Sequence, residues 1–155
     1  MKEKIPGGSL EWNGDQFFKL ATDTAVTAMK KATIYTQGVV RKMVGGVGDG
    51  KRYKRTKSGK YHTASVPGKP PARDTGILAS SISHTVKIEG TKIQGFVGPD
   101  IDKIRNRKKT GTTDPNYGFY LAEGTKYMKK RPWLKPSLIK AKSKIDDIFK
   151  KALGK

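Results

Sequence analysis

Five groups of residues have types and spacings that could do chemistry. Gly45, Gly50 and Lys51 fit G-x-x-x-x-G-K, the loop whose backbone N–H groups cradle phosphates while a lysine reaches them. The fit ends at Arg52, which stands where a Ser or Thr hydroxyl would meet magnesium. The segment also follows a predicted helix and opens a loop, whereas a phosphate-binding loop follows a strand and opens a helix. An ordinary glycine-rich loop explains it better. His62 and His84 are the only two histidines and show no ligand spacing with a carboxylate, so His84 reads as a packed or rim residue on a strand face. Ser65, Ser80 and Ser81 lack the strand-to-helix elbow that activates a nucleophilic serine. Asp146-Asp147 reads as the solvated face of a helix. No enzyme, cofactor or metal site is expected.

The fifth group is basic. Lys51, Arg52, Lys54, Arg55, Lys57 and Lys60 follow one another with no acid between them, and Tyr53 and Tyr61 are interleaved. Cations neutralise phosphates and aromatic rings stack on exposed bases, so these six are candidates for contact with a polyanion. The plainer reading is a solvated basic loop that meets an acidic protein surface, since no defined nucleic-acid-binding motif is present. The whole chain leans the same way: 33 Lys and Arg stand against 13 Asp and Glu, a formal charge of +20.

The elements that must position these groups belong to one domain of 155 residues, which should bury about two-thirds of its unfolded surface. Hydrophobic residues make up only 34% of it, so part of the chain should lie outside the core. Cysteine is absent, which excludes disulfides and thiolate metal sites. No apolar run approaches the roughly 20 residues of a membrane span, and the N-terminus lacks the apolar block of a signal peptide. A soluble protein made in the cytoplasm, with no membrane partner, is expected.

Ser9 to Trp12 predict a short strand, and Asn13-Gly14 a turn that leaves Asp15 as helix N-cap. Phe18, Ala21, Ala25, Ala28, Ala32, Tyr35, Val39 and Met43 then recur at steps of three and four, one face of a long helix that Gly45-Gly46 should stop. Residues 45–74 show neither helical nor strand periodicity and predict a long loop, stiffened by proline over Val66 to Pro71. Asp74 or Thr75 should cap a short helical turn through Ile77, Leu78 and Ile82. The alternation of His84, Val86 and Ile88, with Ile93 and Val97 beyond Gly90-Thr91, predicts a β-hairpin. Residues 100–116 read as a second charged loop.

Tyr117 to Leu138 looks like the organising stretch. Tyr117, Phe119, Tyr120 and Leu121 call for burial in a strand or a turn of helix, and Glu123-Gly124-Thr125 for a turn. Pro132 and Pro136 stiffen the chain around Trp133, which should dock the last helix on the sheet or on a neighbouring subunit; an ordinary core tryptophan is the alternative. Pro136 suits the first position of that helix, whose apolar face is Leu138, Ala141, Ile145, Ile148 and Ala152. The expected class is α+β: a small, mainly antiparallel sheet, a long N-terminal helix, a C-terminal helix and long basic loops.

Three blocks, taken in order and spacing, resemble the neck and tail-component proteins of long-tailed bacteriophages, a family typified by the tenth gene product of a lambdoid phage. They are Leu10-Glu-Trp-Asn-Gly-Asp15; Ala64-Ser-Val-Pro-Gly-Lys-Pro-Pro-Ala-Arg-Asp-Thr-Gly-Ile-Leu78 followed by Ser81-Ile82; and Tyr117 to Leu138, with Val97-Gly98 between the last two. Two departures stand in the third block: Gly118 replaces the usual alanine, and Glu123 directly precedes Gly124. The resemblance implies a non-enzymatic virion protein, made in the host bacterium, that forms a homo-oligomeric ring between head-completion and tail proteins, with DNA in the channel as a possible contact. It singles out Pro67, Gly68, Pro70, Pro71, Thr75, Gly76, Leu78, Tyr117, Glu123, Gly124, Thr125, Arg131, Pro132, Trp133 and Pro136 as assembly candidates. The charge supplies the other expectation, a nucleic-acid-binding protein of ribosomal or nucleoid type.

Overall fold

A computed structural model describes residues 2–5, 8–11, 14–54, 59–105 and 116–154. Helix α1, Gly14–Met43, runs for 30 residues and is about 45 Å long. Its buried stripe is Ala28, Ala32, Thr33, Thr36, Val40 and, just beyond, Val44. The expected stripe is thus rotated and shortened: Phe18, Ala21 and Tyr35 are exposed. Two threonines take part because their hydroxyls are satisfied locally, Thr33 donating to the Met29 and Lys30 carbonyls and Thr36 to Ala32. Small residues let neighbours approach closely along this stripe.

The neighbours are α5, Leu134–Ala152, and the hairpin of β5, Ile82–Glu89, and β6, Lys92–Pro99. The hairpin has the expected place and turn: Glu89 pairs with Lys92, and Gly90 takes φ 59° between them. Gln37 Nε2 and Arg41 Nη2 both donate to the Ile82 carbonyl, at 2.7 and 2.8 Å, and fix the start of β5 on α1. On the α5 side Ala141 is fully buried while Leu138 is exposed, so the apolar face is cut short at its first turn. Helix α5 begins at Leu134, two residues before Pro136, and the Ser137 hydroxyl donates to the Trp133 carbonyl at 2.6 Å.

The fold is α+β, with three separate two-stranded antiparallel hairpins among the described residues. Besides β5–β6, these are β1, Lys2–Ile5, with β2, Gly8–Glu11, and β3, Arg52–Lys54, with β4, Tyr61–Thr63. The predicted strand at Ser9 to Trp12 is therefore β2, paired with a strand that the sequence did not suggest; Trp12 and Asn13 lie outside the described residues. The second pair interrupts the supposed loop 45–74. Three short helices complete the chain: α2, Ile77–Ser81; α3, Ile101–Arg105, at the start of the supposed loop 100–116; and α4, Tyr117–Glu123. Neither Asp74 nor Thr75 is the N-cap of α2. Gly76 is, at φ 78°, and Ile82 starts the strand instead of closing the helix. In α4 only Gly118 and Leu121 are buried, while Phe119 and Tyr120 face solvent. The core joins Val40, Val44, Leu78, Ile82, Leu121 and Trp133.

Candidate functional site

The second and third sequence blocks close on each other. Gly68 N–H donates to the Lys130 carbonyl at 3.0 Å, in a backbone conformation (φ 87°) that favours glycine. Arg131 donates from Nε and Nη2 to the Ser65 carbonyl at 3.3 and 3.2 Å, while its own N–H reaches the Leu121 carbonyl at 2.7 Å. Trp133, 1% exposed, donates its indole N–H to the Gly118 carbonyl at 3.2 Å. A Cβ on Gly118 would stand 3.1 Å from Leu78 Cδ1 and 3.3 Å from Pro99 Cγ, so glycine there eases the packing of those two side chains, while the indole at 3.4 Å is at ordinary contact distance. The turn that follows closes through the Gly124 N–H to the Tyr120 carbonyl, at φ 82°, and through the Thr125 bridge to Met128.

The assembly candidates therefore divide. Pro71, Leu78 and Trp133 are buried within the chain and shape its scaffold. Pro70, Gly76, Tyr117, Gly124, Arg131, Pro132 and Pro136 are half-buried; Pro67, Gly68, Thr75, Glu123 and Thr125 are exposed. Thr75 Oγ1 accepts from the Ile77 N–H at 3.4 Å. Burial pushes the Tyr117 hydroxyl above the ordinary tyrosine range, with the charge of Arg131 opposing.

Among the polyanion candidates, Lys51, Arg52, Lys54 and Lys60 are exposed, and Arg55 and Lys57 lie outside the described residues. The cations and rings of this hairpin are stacked: Arg52 lies 4.2 Å from the Tyr61 ring centre and Lys51 5.5 Å from that of Tyr53. The hairpin is rooted by backbone bonds from Gly50 to Ala64 (2.7 Å) and from Ala64 to Lys51 (3.0 Å). Nearby, Asp49 takes the Val66 N–H at 3.1 Å and pairs with Lys69, which chiefly holds its carboxyl below the usual range. The segment from Gly45 to Lys51 thus runs from helix to strand and lacks the geometry of a phosphate-binding loop.

The other candidate chemistries come apart in space. His84 Nδ1 bonds Gln37 at 2.9 Å, and His62 Nδ1 lies 3.4 Å from Asp74, on another element. No group of three or more His, Asp or Glu among the described residues could hold a metal ion. Ser80 and Ser81 return their hydroxyls to the Ile77 and Leu78 carbonyls. Asp146 pairs with Lys142 at 2.8 Å on an exposed helix face. No described helix is long and apolar enough to cross a membrane.

What sequence reasoning missed is a cleft of about 470 Å³ beside β3–β4, lined by Tyr53, His62, Ser65, Asp74, Tyr117, Tyr127, Lys129 and Arg131 among others. These residues come from segments up to 78 positions apart (131 − 53), so no local spacing announces them. No local sequence signal marks it; only the pairing of β3 with β4 sets Tyr53 opposite His62 on one face. Compared with protein-family models, with curated proteins and with solved structures, the chain matches none.

Proposed function

We propose that this chain is a structural virion protein of a phage neck, forming a ring that joins the head-completion complex to the tail. The observation that carries this reading is the closure of the second and third sequence blocks on each other through Arg131 to Ser65 and Gly68 to Lys130. Residues that resemble one family at separate places in the chain thereby serve one packed unit. Exposed apolar side chains on the two long helices add to it. Ile34 is 54% and Ile139 67% exposed, and Ile34, Tyr35, Val39 and Met43 line a shallow groove with Lys42 and Lys140. Apolar surface of this kind is what subunit contacts cover.

The test is removal of the gene from the phage genome that carries it. Filled heads and finished tails that accumulate unjoined, together with rings of the purified protein in electron micrographs, are the expected result. Normal yields of joined particles would overturn the reading. The exposed basic hairpin favours a second reading, a nucleic-acid-binding protein of ribosomal or nucleoid type. That reading expects a monomer absent from virions whose binding to duplex falls steeply with salt.

A further inference from the structure

The cleft beside β3–β4 brings together three tyrosines and two cations, Lys129 and Arg131. Tyr53 enters from the hairpin, Tyr117 from α4 and Tyr127 from the turn before Arg131. Strand alternation turns Tyr53 and His62 toward the cleft and sends Arg52, Lys54 and Tyr61 to the hairpin's other face. The cleft's volume, about 470 Å³, falls within the range of about 300–1,000 Å³ usual for small-ligand sites.

Its polar groups are set for a ligand. The Ser65 carbonyl orients the Arg131 guanidinium, which makes no ion pair among the described residues. Lys129 stands exposed at the rim. The Ser65 hydroxyl, on a residue only 5% exposed, has no hydrogen-bond partner among the described residues. Such a group is costly to leave unmade unless something enters to meet it.

We propose that this cleft binds single-stranded nucleic acid, taking an unpaired base against its tyrosines with the phosphates on Arg131, Lys129 and Lys51, which lies 5.5 Å from the Tyr53 ring centre. An acidic protein surface would need only the cations, and would find Asp74 and three rings unhelpful. A duplex presents no free base face for the rings to stack on. The site stands on its own geometry and holds whether or not the chain forms a ring.

Fluorescence anisotropy tests it, with a labelled mixed-sequence 12-nucleotide single strand, a duplex of the same sequence, and polyglutamate as competitor. The full chain is compared with Tyr53→Ala and Tyr127→Ala, and circular dichroism checks that each folds. Tyr127 is 91% exposed, so its loss leaves the core intact. Each variant is expected to raise the single-strand Kd by about 5- to 100-fold while duplex binding stays within about twofold. Equal losses on both nucleic acids, or none on either, would overturn the site. So would polyglutamate that displaces the labelled strand as well as unlabelled strand does, which would assign the cleft to an acidic protein surface.

Discussion

Trp133 shows how far a single residue's type carries. Its size and its flanking prolines mark it as an anchor, and it is indeed the largest fully buried side chain among the described residues. What it anchors depends on Gly118, fifteen positions earlier, whose carbonyl takes the indole N–H. Trp133→Ala removes the ring and leaves a cavity among Val40, Leu78, Ile82 and Leu121, and is expected to destabilise the chain by about 3–5 kcal/mol. Urea unfolding followed by circular dichroism would measure this; a loss under about 1 kcal/mol would show that the core does not depend on the ring.

At the scale of elements, legibility followed length and burial. The β5–β6 hairpin has eight residues a strand and a two-residue turn, enough for alternation to stand out. Strands β3 and β4 have three residues each, and every residue of β3 is exposed, so no alternation of apolar and polar types marks them. Helix α1 was legible as a helix, but its buried face was not, because alanines and threonines take the positions where larger apolar residues would have pointed inward. Gly95 on β6 belongs to the same close packing: a Cβ there would run into Thr33 Cγ2 and stand 2.7 Å from Met29 Sδ. Gly95→Ala is expected to push the hairpin off α1 at a cost of about 1–3 kcal/mol. Thermal unfolding should show it as a lowered midpoint, and a midpoint equal to the wild type would mean that α1 and the hairpin adjust freely.

For the whole molecule, two surface properties govern what it can meet. A charge of +20 favours polyanions at long range, where salt weakens it. Exposed apolar residues on α1 and α5 act at short range, where salt matters little. Ile139→Lys adds a charge at an exposed helical position and should change subunit stability by no more than about 0.5 kcal/mol. In a complementation assay it should nonetheless reduce the yield of joined particles, because a lysine cannot be buried unpaired in a subunit interface. Unchanged yield would remove this face from assembly.

The sequence by itself determined the α+β class, the long and closing helices, the β5–β6 hairpin with its turn, and Trp133 as an anchor. Each of these rests on local periodicity, on glycine and proline chemistry, or on side-chain size, all properties of neighbouring residues. Only the tertiary structure decided how the buried stripe of α1 is rotated, that the Gly118 carbonyl takes the indole N–H, and that Tyr53, Ser65, Tyr117, Tyr127 and Arg131 share one cleft. Those outcomes depend on the approach of segments far apart in the chain, set by volume and by the need to pair buried polar groups, and local spacing carries no record of it.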